Sequence, residues 1–166
     1  MYIALKCFSI LNSRGNFRFW VIGKPETTEY GKKIYKIARD LRLNNNLKFW
    51  GFVPKFKKFE LLSKSHVLIN PSLREGWGLV NIEANSMGTP VVAYNSRGLV
   101  DSVKDKYSGS ICQKNSPEQL SKNVIDLLSE EKKYQEMIKS SIEWSKNFSW
   151  TKSGKESLRL LERLTK

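Results

Sequence analysis

Two carboxylates and two glycines stand close enough along the chain to share one crevice: Glu75, Gly76, Gly78 and Glu83. An ionised glutamate only accepts hydrogen bonds, which suits the hydroxyls of a sugar or a ribose. The glycines sit just before an apolar-periodic run that starts near Leu79 and stops at Gly88. A helix beginning there presents unpaired backbone N–H groups, and the positive end of its dipole, to the space in front of it. Glycine has no Cβ, so a ligand can approach that backbone closely. Phosphate and sugar oxygens are the groups such a turn accepts. Glu83 lies about one turn into the helix, and helical side chains lean back towards the N-terminus, so it can reach the crevice that Glu75 borders. Spacing alone leaves a second account open, in which Glu75 complements the helix dipole and Glu83 is a solvated acid.

These residues need a scaffold, and the flanking sequence supplies one. Val67-Leu68-Ile69 reads as a short apolar strand entering the loop that holds Pro71, Gly76 and Gly78. Thr89-Pro90 opens a second apolar strand, Val91 to Tyr94. Open α/β sheets bind ligands at the carboxyl ends of their strands, where this loop would lie. Upstream, Ile3, Leu5, Cys7, Phe8 and Leu11 follow a helical period over residues 2–11. Phe17 to Ile22 is predicted as a buried strand ending at Gly23-Lys24-Pro25. Tyr30, Ile34, Ile37, Ala38 and Leu41 mark one face of a helix that the Asn44-Asn45-Asn46 run breaks. Leu47 to Trp50 is another strand, closed by Gly51-Phe52-Val53-Pro54, and Pro54 opens a helix with Phe56, Phe59 and Leu62 inward. Trp20 and Trp50 are expected in the core, and Trp77 near the site.

Downstream, Gly109 to Cys112 is the last predicted strand. Ser116-Pro117-Glu118-Gln119 predicts a capped helix start with the Gln closing a capping box. Tyr134, Met137, Ile138 and Ser141 mark a further helix, and Ser149 caps a last one carrying Leu158, Leu161 and Leu164. Strands alternating with helices in this way predict βαβ units and a parallel sheet. The expected fold is a Rossmann-like three-layer α/β domain with a helical C-terminal tail, residues 1–166 forming one domain.

Composition narrows the classes. Hydrophobic content of 40% and charged content of 27% over 166 residues argue against disorder and allow a proper core. No apolar run approaches the roughly 20 residues that cross a bilayer. The N-terminus lacks the features of a signal peptide, so the expected location is the cytoplasm or the inner face of the membrane. Cys7 and Cys112 are too few and too far apart for a disulfide framework or a metal knuckle. Twenty-nine basic against sixteen acidic residues give a net charge of +13, which favours anionic partners. The lysines and arginines are dispersed, as on a generally basic surface and unlike a nucleic-acid track, so no specific nucleic acid is expected. His66, alone before an apolar strand, reads as structural.

The stretch Glu75-Gly76-Trp77-Gly78-Leu79-Val80-Asn81-Ile82-Glu83-Ala84, followed by Met87-Gly88-Thr89-Pro90-Val91-Val92-Ala93, resembles the signature of the glycosyl transferases group 1 family. These are retaining enzymes with a GT-B fold of two Rossmann domains. Val21-Ile22-Gly23, Gly51-Phe52-Val53-Pro54, Asn70-Pro71-Ser72, Gly98, Ser108-Gly109 and Phe148-Ser149-Trp150 fall where the family's carboxy-terminal, donor-binding domain would place them. The resemblance implies a nucleotide-diphosphate sugar as donor, a saccharide, lipid or protein as acceptor, and no metal ion or other cofactor. It implies that Glu75 contacts the donor sugar ring as the catalytic-site acid. It assigns the backbone of Gly76, Trp77, Gly78 and Leu79 to sugar hydroxyls and the distal phosphate, and Glu83 to the ribose. The main chain around Val53 would receive the base, and Gly23 would let its loop approach the nucleotide.

Departures from the pattern are as specific. The family's domain opens with a strand, then a loop whose Arg and Lys neutralise the donor diphosphate, and only then a helix like Tyr2 to Leu11. That strand would lie between the Phe17 and Val67 strands. Lys24 and Arg74 are cations near the crevice but do not occupy the place of that pair, and Arg97, beside Gly98, stands where a second small residue is usual and is expected to crowd the loop. The chain is therefore expected to be a donor domain incomplete for catalysis alone, with a separate chain supplying the acceptor domain and with peripheral membrane association. The alternative is a non-catalytic basic α/β module that binds a partner glycosyltransferase, an anionic membrane surface or nucleic acid.

Overall fold

The computed structural model describes residues 1–25, 27–43 and 45–164. Asn44, in the run expected to break the second helix, lies outside the described residues. The chain runs α1 (Tyr2–Asn12), β1 (Phe19–Ile22), α2 (Thr28–Asp40), β2 (Leu47–Gly51), α3 (Lys55–Ser63) and β3 (Leu68–Asn70). It continues through α4 (Leu79–Ser86), β4 (Val91–Ala93), α5 (Leu99–Ser102), β5 (Gly109–Ile111), α6 (Pro117–Leu128), α7 (Glu131–Ser145) and α8 (Trp150–Leu164).

All strand pairs are parallel, as strands joined by helical crossovers must be. They form two hydrogen-bonded sets, β1-β2 and β3-β4-β5, with Phe19 opposite Leu47, Leu68 opposite Val91, and Val91 opposite Gly109. In the doubly wound order 3-2-1-4-5-6, these are the 3-2 and 4-5-6 halves. No strand joins the two sets among the described residues. Helix α1 spans the division instead: its Phe8 stacks on Phe19 of β1 at 5.1 Å, while the helix packs on α6, which covers β4.

Helices α1, α2 and α6 form one layer, and α3, α4 and α7 the other. Between them β4 is completely buried, and Leu5, Phe8, Leu99 and Leu120 close the core around it. Cys7 and Cys112 are buried free thiols within this core. Ser116 and Ser149 cap their helices where the sequence places them, and Thr27 adds a cap that the sequence reading did not name. Thr27 accepts from the Tyr30 N–H at 3.1 Å, Ser116 from Gln119 N–H at 3.2 Å, and Ser149 from Lys152 N–H at 3.1 Å.

Three expectations change. The Gln119 side chain donates to Asn123 Oδ1 at 2.7 Å, so the reciprocal half of the capping box is not made. Phe56 is 74% exposed, because six residues at 3.6 per turn carry it round the helix from buried Leu62. Trp20 and Trp50 are half-buried, not core. They stack edge-on at 6.0 Å on the strand face opposite Phe19 and Phe49, with Lys48 and Lys57 flanking the Trp50 ring at 3.7 and 5.4 Å. Helix α8 buries none of its residues, and Leu158, Leu161 and Leu164 are exposed. Among the described residues no helix is long and apolar enough to cross a membrane.

Candidate functional site

A parallel strand that ends in a loop and a helix puts that helix's N-terminus at the carboxyl edge of the sheet. Here β1, β2, β3 and β4 each do so; the loops after β1 and β2 are bonded to each other, as are the loops after β3 and β4. Gly23 follows β1 with φ +119° and donates its N–H to the Gly51 carbonyl at 2.8 Å, tying the first two loops side by side. Nothing lies within 4 Å of where a Gly23 or Gly51 Cβ would stand, so this part of the crevice is open. Val53, on the next turn of chain, is half-buried and leads into α3.

The loop after β3 is the most constrained. Asn70 Oδ1 accepts from the Ser72 N–H at 3.2 Å, which starts the turn. Gly78 caps α4 in the left-handed region at φ +78°, and a Cβ there would lie 2.8 Å from Asn81 Nδ2 and 3.0 Å from both Leu99 and Ser102. Only glycine fits such a position without strain. No side chain caps α4; Gly76, just before it, has open space where a Cβ would stand, and Leu79, its first residue, is exposed. Trp77 packs edge-on against Phe148 at 4.7 Å, and Phe148 against Trp144 at 5.1 Å. Trp144 Nε1 donates to the Ser102 carbonyl at 2.9 Å, so the end of α7 braces the loop from behind.

Glu75 and Glu83 flank this helix start, as their spacing suggests, but in different surroundings. Glu75 is exposed on a cavity of about 620 Å³ that Leu73, Arg74, Asn95, Ser96, Arg97 and Asn115 also line. Glu83 is half-buried and accepts from Lys58 Nζ at 2.6 Å across the α3–α4 contact. Arg97 is exposed and lines the cavity, so it does not crowd the loop as its place beside Gly98 suggested. A second cavity, at the amino end of β5 and lined by Tyr107, Gly109 and Met137, lies at the opposite edge of the sheet. Among the described residues no three His, Cys, Asp or Glu side chains gather as a metal ion would require. His66 is exposed, and its carbonyl accepts from Tyr134 Oη at 3.0 Å, away from the glutamates.

Sequence reasoning did not single out the residues that hold the loops together. Asn81, buried inside α4, accepts from Asn70 Nδ2 at 3.0 Å and donates to Ser102 Oγ at 2.9 Å. This network joins β3, α4 and α5 beneath the crevice. The available signal was Asn81 itself, a poor helix former in the apolar run Leu79 to Ile82. Lys58 gave no signal, because its partner is 25 residues away in sequence.

The chain matches the glycosyl transferases group 1 family over residues 3–144. It is 30% identical over 141 residues to an uncharacterized glycosyltransferase, MJ1178, of Methanocaldococcus jannaschii, covering 82% of this chain and 38% of that one. It is 27% identical over 142 residues to the D-inositol 3-phosphate glycosyltransferase of Segniliparus rotundus, covering 85% and 32%. The chain thus spans about a third of the length of these curated relatives. Its fold superposes on Anabaena Alr3699/HepE, a structure in complex with UDP and glucose, with a TM-score of 0.85 at 18% identity, covering 96% of this chain and 44% of that one. It also superposes on the C-terminal domain of LpcC, a glycosyl transferase group 1 family protein from Francisella tularensis, with a TM-score of 0.75 at 17% identity, covering 88% and 77%. These likenesses show the fold, one half of the two-domain GT-B architecture.

Proposed function

The chain belongs to the glycosyl transferases group 1 family, and on that premise we propose that it is the donor-binding domain of a retaining glycosyltransferase that uses a nucleotide-diphosphate sugar. The observation that carries this reading is the start of α4: an uncapped helix N-terminus behind glycine backbone, with one exposed carboxylate before it and one half-buried carboxylate a turn beyond. In the proposed arrangement the N–H groups from Gly76 to Leu79 hold sugar hydroxyls and the distal phosphate. Glu75 accepts from the hydroxyls of the sugar, and Glu83 from those of the ribose. The base lies along the main chain at Val53, and the open loop at Gly23 admits the nucleotide.

A uridine nucleotide is the first candidate, since the Anabaena protein with this fold is in complex with UDP. Transfer to a saccharide, lipid or protein acceptor is proposed to need surfaces beyond this chain, which covers less than half of that neighbour. Calorimetric titration with UDP- and GDP-sugars tests the reading. Binding that Glu83→Gln weakens at least tenfold supports it. Absence of heat with every donor removes it, and sugar transfer by this chain alone removes the claim that other surfaces are needed.

A further inference from the structure

The cavity beside Glu75 carries more positive charge than a neutral sugar requires. Arg74 and Arg97 both line it, and among the described residues no ion pair or side-chain hydrogen bond engages either arginine or Glu75. The two arginines come from different loops, after β3 and after β4, and these loops are fixed to each other. Ser96 Oγ donates to the Ser72 carbonyl at 2.7 Å. Gly98 has φ +82°, and a Cβ there would stand only 2.4 Å from the Glu75 carbonyl oxygen, so the backbone after Arg97 lies directly against that of Glu75 and Gly76. Behind the loop, the Asn95 N–H donates to Asn115 Oδ1 at 2.7 Å, and Asn115 Nδ2 returns a bond to the Asn95 carbonyl at 2.8 Å. The backbones of both arginines are therefore held beside Glu75 before any ligand arrives.

We infer that Arg74 and Arg97 form an oxyanion subsite next to Glu75, which takes an anionic group of the bound donor. The inference rests on the donor-binding reading above and adds a charge preference to it. A guanidinium presents paired donors that match phosphate and carboxylate oxygens, and a charged acceptor makes those bonds strong. Glu75 would repel such an anion alone; two flanking cations leave the three charges with a net of +1. The oxyanion has two possible sources, the distal phosphate of the nucleotide or a carboxylate on its sugar.

The test titrates UMP, UDP, UDP-glucose and UDP-glucuronate, with the guanosine counterparts in parallel, against the whole chain and its Arg74→Gln, Arg97→Gln and double variants. Both arginines are exposed, so circular dichroism should show unchanged folding. If the phosphate is the source, the double variant loses about tenfold in UDP affinity while UMP binding is unchanged. If the sugar carboxylate is the source, UDP binding is unchanged and the advantage of UDP-glucuronate over UDP-glucose disappears. Equal binding of every ligand by wild type and double variant overturns the subsite and leaves donor binding intact. Failure of the wild-type chain to bind any of them overturns the donor-binding reading, and the subsite with it.

Discussion

Lys58 Nζ lies 2.6 Å from Glu83 Oε1 and bridges the first turn of α3 to the second turn of α4. Both side chains are about 30% accessible, at 30% and 27%, so the pair is neither a solvated surface contact nor a fully desolvated one. Half-exposed pairs contribute roughly 0–1 kcal/mol to stability. Lys58→Met is therefore expected to change folding stability by less than about 1 kcal/mol, as urea unfolding would show. Its larger effect is expected on nucleotide binding. The ammonium fixes the rotamer of the carboxylate proposed to hold the ribose, so UDP should bind several-fold more weakly while 2′,3′-dideoxy-UDP is unaffected. Lys58→Arg should recover most of the loss. Equal weakening for both nucleotides would mean that the pair does not orient Glu83 towards ribose hydroxyls.

Gly98 and Gly76 form a contrasting pair for mutation. A methyl group at Gly98 meets the Glu75 carbonyl at 2.4 Å in a left-handed backbone conformation, whereas one at Gly76 meets nothing within 4 Å. Gly98→Ala is expected to cost about 2 kcal/mol or more and lower the melting temperature. Gly76→Ala should melt with wild type but weaken donor binding, because the methyl group occupies the space where a ligand would approach the backbone.

Asn81 is fully buried and holds both Asn70 and Ser102. Asn81→Leu removes an acceptor and a donor at once and strands their partners in the core. A cost of about 2 kcal/mol or more in chemical denaturation is expected, from two polar groups left unsatisfied. An unchanged unfolding midpoint would show that water replaces the lost bonds.

High pH should destabilise the fold through three buried acids. Burial pushes the Cys7 thiol from an ordinary value of 9.0 up to about 12, Cys112 to about 11, and the Tyr94 phenol from 10.0 to about 12. The folded state favours their neutral forms. Their contribution is complete below pH 9, where the unfolded chain is also neutral, and is lost as pH rises from there towards 12. Urea midpoints measured from pH 8 to pH 10.5 should fall, and less steeply in Cys7→Ala. The same burial predicts that both thiols resist alkylation at pH 8 until the protein unfolds.

Much of this protein is legible along the chain because its causes are local. Ser116 and Ser149 cap helices with their own side chains, and Leu120, Val124 and Leu127 repeat at the period that buries one helix face. The stretch from Glu75 to Pro90 encodes its strand, turn and helix, and places two acids about a turn from the same helix start. Reading Trp20, Trp50 and Phe56 as buried failed because hydrophobicity reports a preference, while burial depends on which neighbours cover a face.

What the sequence determined by itself is the alternation of elements, the glycine-lined turn before α4, and the presence of Glu75 in that turn and Glu83 about one turn into the helix. Only the tertiary structure decided which of these residues are committed and which are free. It paired Glu83 with Lys58, buried Asn81 between Asn70 and Ser102, and set Arg97 on the rim of the cavity that Glu75 lines. Each of these relations joins loops or helices well apart along the chain, and their partners are brought together only by the packing of parallel strands. Spacing reports which groups can meet within one element; the sheet sets which groups meet across elements.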